Sequence, residues 1–392
     1  MGFKWKSLML TIFTFLMVVC NASLINSNVV RSIKSEDGDV IDCIPIHKQP
    51  AFDHPALQNH SIQMRPSNDP TMAKTEREEE VPNIVVKQLW QKSGSCPQGT
   101  IPIRRTQTKE GHIASKKPSF SHLNDKEKMV DNNDLELLQL NHSLAVLIAQ
   151  GFAYYGAKGD IKLCYAQVER DDEYTTNQVS LITGPFRNYE AIESGWAVNP
   201  GVYGDRQTRL FVYWTVDGSV NTGCFDLTCP GFVQTSSDIA LGAPIYPISD
   251  PEGNDPSVIT IFIHKDPETN NWWVNYGEEV NIGYWPAELF NGLCFHAESV
   301  QWGGDVYSKR VGMHPGHTAT GMGCGQYPSP EPFFGSAFVK RMRVIQNKVL
   351  VPPAFVNTYA DEYRCYRALY LSDYVEDPEF YYGGPGRNFL CP

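Results

Sequence analysis

The chain has no surplus of positive charge. Its 33 Lys and Arg face 44 Asp and Glu, for a net charge of −11. Such a chain repels phosphate backbones, so nucleic-acid binding has no electrostatic basis. No apolar run after residue 25 reaches the ~20 residues that cross a bilayer. Long helical patterns are also missing, because 31 Gly and 27 Pro interrupt the sequence, which argues against bundles and coiled coils. There is no phosphate-binding loop, no dinucleotide-type glycine fingerprint, no G-x-S-x-G elbow and no H-E-x-x-H motif. His314 and His317 flank Pro315, which prevents a helical ligand face; they read as histidines of a plain loop. Cys224 and Cys229 lack the two-residue spacing of zinc or redox pairs, and a local disulfide suits them better.

What is present is a globular composition. Of 392 residues, 42% are hydrophobic and 20% charged, enough for a real core and too apolar for disorder. The length fits two to three domains at ~150 residues each. Residues 1–22 read as a signal peptide: Lys4 and Lys6, an apolar run from Leu8 to Val19, then Cys20-Asn21-Ala22. Export predicts a secreted location (extracellular, cell wall or vacuolar lumen) and oxidised cysteines. Removal of Cys20 leaves nine, an odd number: Cys43, Cys96, Cys164, Cys224, Cys229, Cys294, Cys324, Cys365 and Cys391. Asn59 and Asn141 head glycosylation sequons.

The texture changes along the chain. Residues 23–105 hold Cys43 and Cys96, which could close this region on itself, and a charged run at Thr75–Glu80. Residues 106–136 are polar and lysine-rich, the composition of a cleavable linker. From 137 to 392, short β-rich runs recur between turn signals. These include Ile161–Val168, Arg209–Thr215, Val258–His264, Trp272–Tyr276 and Phe338–Val344. Asp266–Asn271 reads as a hairpin turn, and Pro286–Phe290 as the start of a helical turn. Many strands and almost no helix predict an all-β fold, an antiparallel sandwich or barrel.

Two segments set an acid beside tryptophan and glycine: Glu193-Ser194-Gly195-Trp196 and Trp302-Gly303-Gly304-Asp305. Tryptophan lowers the local dielectric and raises a neighbouring carboxyl pKa. Glycine admits a close ligand or backbone. Two acids with split pKa values can serve as base and acid. The plain alternative is a pair of strand-edge surface acids.

These segments resemble the neprosin family of plant proteins. The likeness is carried by Glu193-Ser194-Gly195-Trp196, Tyr203-Gly204-Asp205, Thr208–Thr215, Thr222-Gly223-Cys224, Cys229–Gln234, Trp272-Trp273, Gly283-Tyr284-Trp285-Pro286 and Trp302-Gly303-Gly304. The first region resembles that family's activation peptide through Gln49–Pro55 and Cys96–Arg104. The resemblance implies a secreted glutamic peptidase that cleaves after proline in acid. It implies a β-sandwich of two large antiparallel sheets (concanavalin-like, as in glutamic peptidases), preceded by a small propeptide domain. That propeptide would act as the enzyme's own inhibitor until self-cleavage, between Arg105 and Asn141. No metal or organic cofactor is implied. The substrate would be a proline-containing peptide or protein.

Carried over by motif, the catalytic pair falls on Glu193 and Asp305, with a water between their oxygens. Asp305 departs from the family's usual glutamate and reaches roughly 1.5 Å less, and misplacement of about 1 Å can cost ~10²-fold in rate. Glu298, seven residues earlier, is expected on the opposite strand face as a surface acid. Trp196, Tyr213, Trp214, Tyr284, Trp285 and Trp302 are candidates for a proline-accepting wall, or else for core packing. Cys294 and Cys324 look like additions to the family pattern and are expected to pair, as are Cys365 and Cys391, leaving Cys164 unpaired. The shortened acid keeps two alternatives open: an impaired β-sandwich that only binds carbohydrate or peptide, and a two-carboxylate glycoside hydrolase.

Overall fold

A computed structural model describes residues 28–68, 87–106, 141–185, 188–249, 256–329, 335–373 and 375–392. The expected signal peptide and nearly all of the expected linker lie outside them. Two large antiparallel sheets dominate. The first runs β10-β9-β8-β7-β16-β5-β19: Cys224–Phe225, Arg209–Thr215, Glu190–Val198, Tyr174–Thr183, Ala297–Tyr307, His142–Tyr154 and Val356–Ala360. The second runs β11-β15-β14-β13-β6-β17-β21-β20, with β18 on β17. Its strands are Val233–Gln234, Val280–Trp285, Trp272–Tyr276, Val258–Lys265, Gly156–Lys162, Ala337–Gln346, Glu379–Gly383, Arg367–Leu371 and Val349–Val351. The all-β sandwich is therefore as expected. The strand expected over 161–168 ends at Lys162, and the helical turn after Pro286 is a 3-10 turn, Ala287–Leu289.

The core lies between the sheets. Strand alternation sends Leu147, Val179, Leu181, Ile192, Val212 and Val300 inward from the first, against Ile161, Ile261, Val274 and Val339 of the second. Trp196 and Trp302 cross this layer. Their indole N–H groups donate to the carbonyls of Lys162 and Lys158 at 2.9 and 3.0 Å. Each brings a large apolar area and leaves no unpaired N–H.

The N-terminal segment forms its own sheet, β1-β2-β4, over Arg31–Lys34, Val40–Pro45 and Thr100–Arg104. A short pairing of β3 (Lys87–Gln88) with β12 (Ile245–Tyr246) ties it to the sandwich. Disulfides join Cys43 to Cys96, Cys224 to Cys229 and Cys365 to Cys391. The fourth corrects the sequence reading: Cys324 bonds Cys164, with Cα atoms 5.0 Å apart, and Cys294 is free. Cys164 sits just past the end of β6, where the loop bearing Cys324 passes. The Cys294 Sγ instead meets the Asn291 carbonyl at 2.8 Å.

Candidate active site

The register of the first sheet decides which side chains meet. On the central strand β7, Ser180 lies opposite Glu193 of β8, and Thr176 lies opposite Asp305 of β16. Ser180 and Thr176 are four residues apart, an even number, so Glu193 and Asp305 share one face. Both are buried. Between their rows, Gln178 pairs with Gly195 on one side and Gly303 on the other. Both glycines are forced by backbone. A Cβ at Gly195 would lie 2.0 Å from the Asn177 carbonyl; one at Gly303, with φ +146°, would lie 2.3 Å from that of Ala145.

The two acids are thus two strands and four residues apart. On a flat sheet that is about 17 Å between Cα atoms, from ~4.8 Å per strand and ~3.4 Å per residue. The register sets Gln178 between their rows on the same face. Both charges reach the Tyr174 phenol. Burial first, then Asp305, Tyr213, Glu193 and Tyr307, hold its pKa well above the ordinary value.

The sequence reading missed His142. At the start of β5 its Nδ1 stands 3.0 and 2.9 Å from the two Asp305 oxygens. Its ring packs on Tyr174 and Tyr307, with centroids 6.0 and 5.1 Å away. Gln178 was missed as well. A second acid lies close by: Asp361 accepts from the Leu144 N–H at 2.7 Å and from the Tyr359 hydroxyl at 2.6 Å. Burial, helped by the charges of Asp305 and Glu362, pushes its pKa up to about 6. No sequence signal marked these residues, since a histidine at a linker junction and a glutamine in a strand carry no motif.

The aromatic wall needs correction. Trp196, Trp214, Trp285 and Trp302 belong to the core between the sheets. Trp196 is an odd step from Glu193, and Trp302 an odd step from Asp305, so each points away from its acid. Trp214 meets Phe290 and the N-terminal segment's His54 edge-on, at 6.2 and 5.9 Å. Of the six candidates, Tyr213 lies on the acid face, directly opposite Glu193. Tyr174, Phe211, Phe225 and Tyr307 cluster with it. Glu298 is exposed beside a bulge and accepts from the Gly184 N–H at 3.0 Å. His314 and His317 both turn to Glu362, at 3.3 and 3.0 Å, which ties their loop down. Of the sequon asparagines, Asn59 is exposed and Asn141 half-buried.

Tyr284 faces the N-terminal segment. Its hydroxyl meets His60 Nε2 at 2.8 Å and accepts from the Gln63 N–H at 2.9 Å. With Trp273 and Val233 it packs against Ala51. Nearby, Asp266 takes Gln63 Nε2 at 2.9 Å and the Ser67 hydroxyl at 3.0 Å. Gln49 and Gln234 exchange two hydrogen bonds, at 2.8 and 3.0 Å. At the other contact, Arg209 of β9 binds Asp39 of the segment at 2.6 Å. Arg209 is in register with Ala197, and through it with Thr176 and Asp305, so this clamp reaches the row that carries Asp305.

The fold is thus an all-β sandwich with two buried acids on one sheet face and an N-terminal segment clamped onto it. The sequence matches the Neprosin family profile over residues 171–385 and the Neprosin activation peptide profile over residues 32–147. The chain belongs to the neprosin family. Among solved structures it is similar to scytalido-glutamic peptidase with a peptide-based transition-state analog, at 8% identity and TM-score 0.34, covering 63% of this chain and 98% of that one. It is also similar to SCP-B, a member of the Eqolisin family of peptidases, bound to the tripeptide Ala-Ile-His. That match has 9% identity and TM-score 0.32, covering 62% of this chain and 98% of that one.

Proposed function

We propose that the protein is an exported endopeptidase that cuts after proline in acid, released from its own propeptide, with Glu193 and Asp305 as its working acids. The observation that carries this reading is their burial on one face of the first sheet, with Tyr213 and Tyr174 between and beside them. A proline ring packs well on flat aromatic faces, and the tyrosines of this face replace the tryptophans as its wall.

The imidazole divides the roles. One His142 nitrogen faces both Asp305 oxygens, the arrangement of an N–H donating to an ionised carboxylate. In this reading Asp305 takes the proton from water, and Glu193, protonated, supplies one to the departing nitrogen. His142 fixes the shorter acid in place and offsets part of its lost reach. The alternative, a sandwich that only binds peptide or carbohydrate, draws on that same missing methylene.

The test uses purified full-length protein, acidified and incubated with a proline-containing peptide, with N-terminal sequencing of the products. Wild type is expected to cut after proline and to shed its N-terminal segment. Glu193→Gln is expected to lose at least 100-fold in kcat. Full activity in Glu193→Gln refutes the site. A silent wild type that gains activity as Asp305→Glu supports the binding-only reading.

A further inference from the structure

The two acids flank a glutamine whose surroundings are unusual for a structural residue. Gln178 is in the central strand of the first sheet, on the acid face, one strand and two residues from each carboxylate. That is about 8 Å between Cα atoms in each case, half the separation of the acids themselves. Its cross-strand neighbours are both glycine, so no side chain beside it in that row fills the space around its amide. The residue is 5% exposed, and its side-chain Oε1 has no hydrogen-bond partner. A buried amide oxygen left unpaired costs roughly 1–3 kcal/mol and calls for an explanation at a functional site.

The neighbours on the same face of β7 repeat the pattern. The Thr176 hydroxyl and the Tyr174 phenol are buried and unpartnered too. The three polar ends therefore form a line along one strand, between Glu193 on one side and Asp305 on the other. Thr175 and Asn177 are also unpaired, but alternation turns them toward the second sheet.

We propose that Gln178 is a third catalytic residue, its side-chain amide holding the scissile carbonyl between the two acids. The proposal rests on the peptidase reading above. Water gives a proton to the Asp305 carboxylate as its oxygen bonds to the carbonyl carbon. The carbonyl π pair moves onto oxygen, and the Gln178 Nε2–H donates to that oxyanion. The pair then returns, the C–N bond breaks with its electrons going to nitrogen, and Glu193 supplies the proton that nitrogen takes. Asp305 passes its proton to solvent and Glu193 regains one, so the sum is peptide plus water giving acid plus amine. The unpaired Oε1 is free to accept from the incoming water. Donors set for the oxyanion rather than the ground-state carbonyl act on kcat.

The experiment measures kcat and KM of the acid-activated full-length protein on a proline peptide. Gln178→Ala is expected to lower kcat about 10²–10³-fold with KM changed less than about threefold. Gln178→Glu keeps the shape but donates only while protonated, so its residual activity is expected to be confined to lower pH than wild type. A merely structural role would not move the pH profile in that way. Gln178→Ala retaining more than about a third of kcat, or Gln178→Glu retaining the wild-type pH profile, overturns the proposal. Glu193→Gln and Asp305→Asn run alongside: their loss with survival of Gln178→Ala sinks the role of Gln178 alone. Silence of both wild type and Asp305→Glu on every proline peptide sinks the peptidase reading, and this proposal with it.

Discussion

Replacing Asp39 by Asn tests how the N-terminal segment is held. Asp39 accepts from Arg104 Nε at 2.9 Å within its own segment and from Arg209 Nη1 at 2.6 Å across the contact. The three side chains are at most 6% exposed. Both guanidiniums also lie near the ring of Tyr203, at 5.7 and 5.4 Å. The single carboxylate therefore separates two buried cations. Asp205 and the Gly242 carbonyl still bind Arg209 without it, whereas Arg104 keeps its hydrogen bond to the Tyr203 carbonyl. Removing one partner of a buried pair costs roughly 3–5 kcal/mol, and about 3 kcal/mol is a factor of ~150 in an equilibrium. Amide hydrogen exchange on the intact chain reads this directly. Protection of the inter-strand amides of β1, β2 and β4 is expected to fall 10²–10³-fold. The central strands of the first sheet should keep theirs. Protection of β2 within about threefold of wild type would refute the reasoning and reduce the clamp to a replaceable contact.

Two further outcomes follow from the site and the disulfides. Asp361 has a pKa raised to about 6 in the folded chain against an ordinary value of 3.8, so folding binds extra protons between these limits. Stability is expected to fall as pH rises from about 4 to 6, and Asp361→Asn to remove that slope, gaining about 2–3 kcal/mol at pH 7 in denaturant unfolding; an unchanged slope would contradict the assignment. Peptide mapping of the non-reduced protein should recover Cys164 joined to Cys324, with Cys164→Ser costing roughly 2–5 kcal/mol and Cys294→Ser within about 0.5 kcal/mol.

The strands were legible because their pattern is local. Arg209–Thr215 and Val258–His264 are apolar at nearly every position, and both became strands covered on both faces. The turn at Asp266–Asn271 joins β13 and β14 as its composition suggested. The tryptophans misled for an equally plain reason. Neighbouring residues of a strand face opposite ways, so adjacency in sequence of Glu193 to Trp196, or Asp305 to Trp302, says nothing about contact. The cysteine error was of the same kind: Cys164 and Cys324 are 160 positions apart, and only the packing of a loop on a strand end pairs them.

Taken alone, the amino-acid order determined the class. Short-range alternation, turn chemistry and spaced family motifs specify a β-sandwich with an activation segment and name two acids on its strands. What it could not decide is the company those acids keep. His142 reaches Asp305 because β5 and β16 are hydrogen-bonded neighbours, and Gln178 lies between the acids because β7 separates β8 from β16. Strand pairing over more than a hundred residues is settled by burial of whole faces, a global quantity that no local window contains.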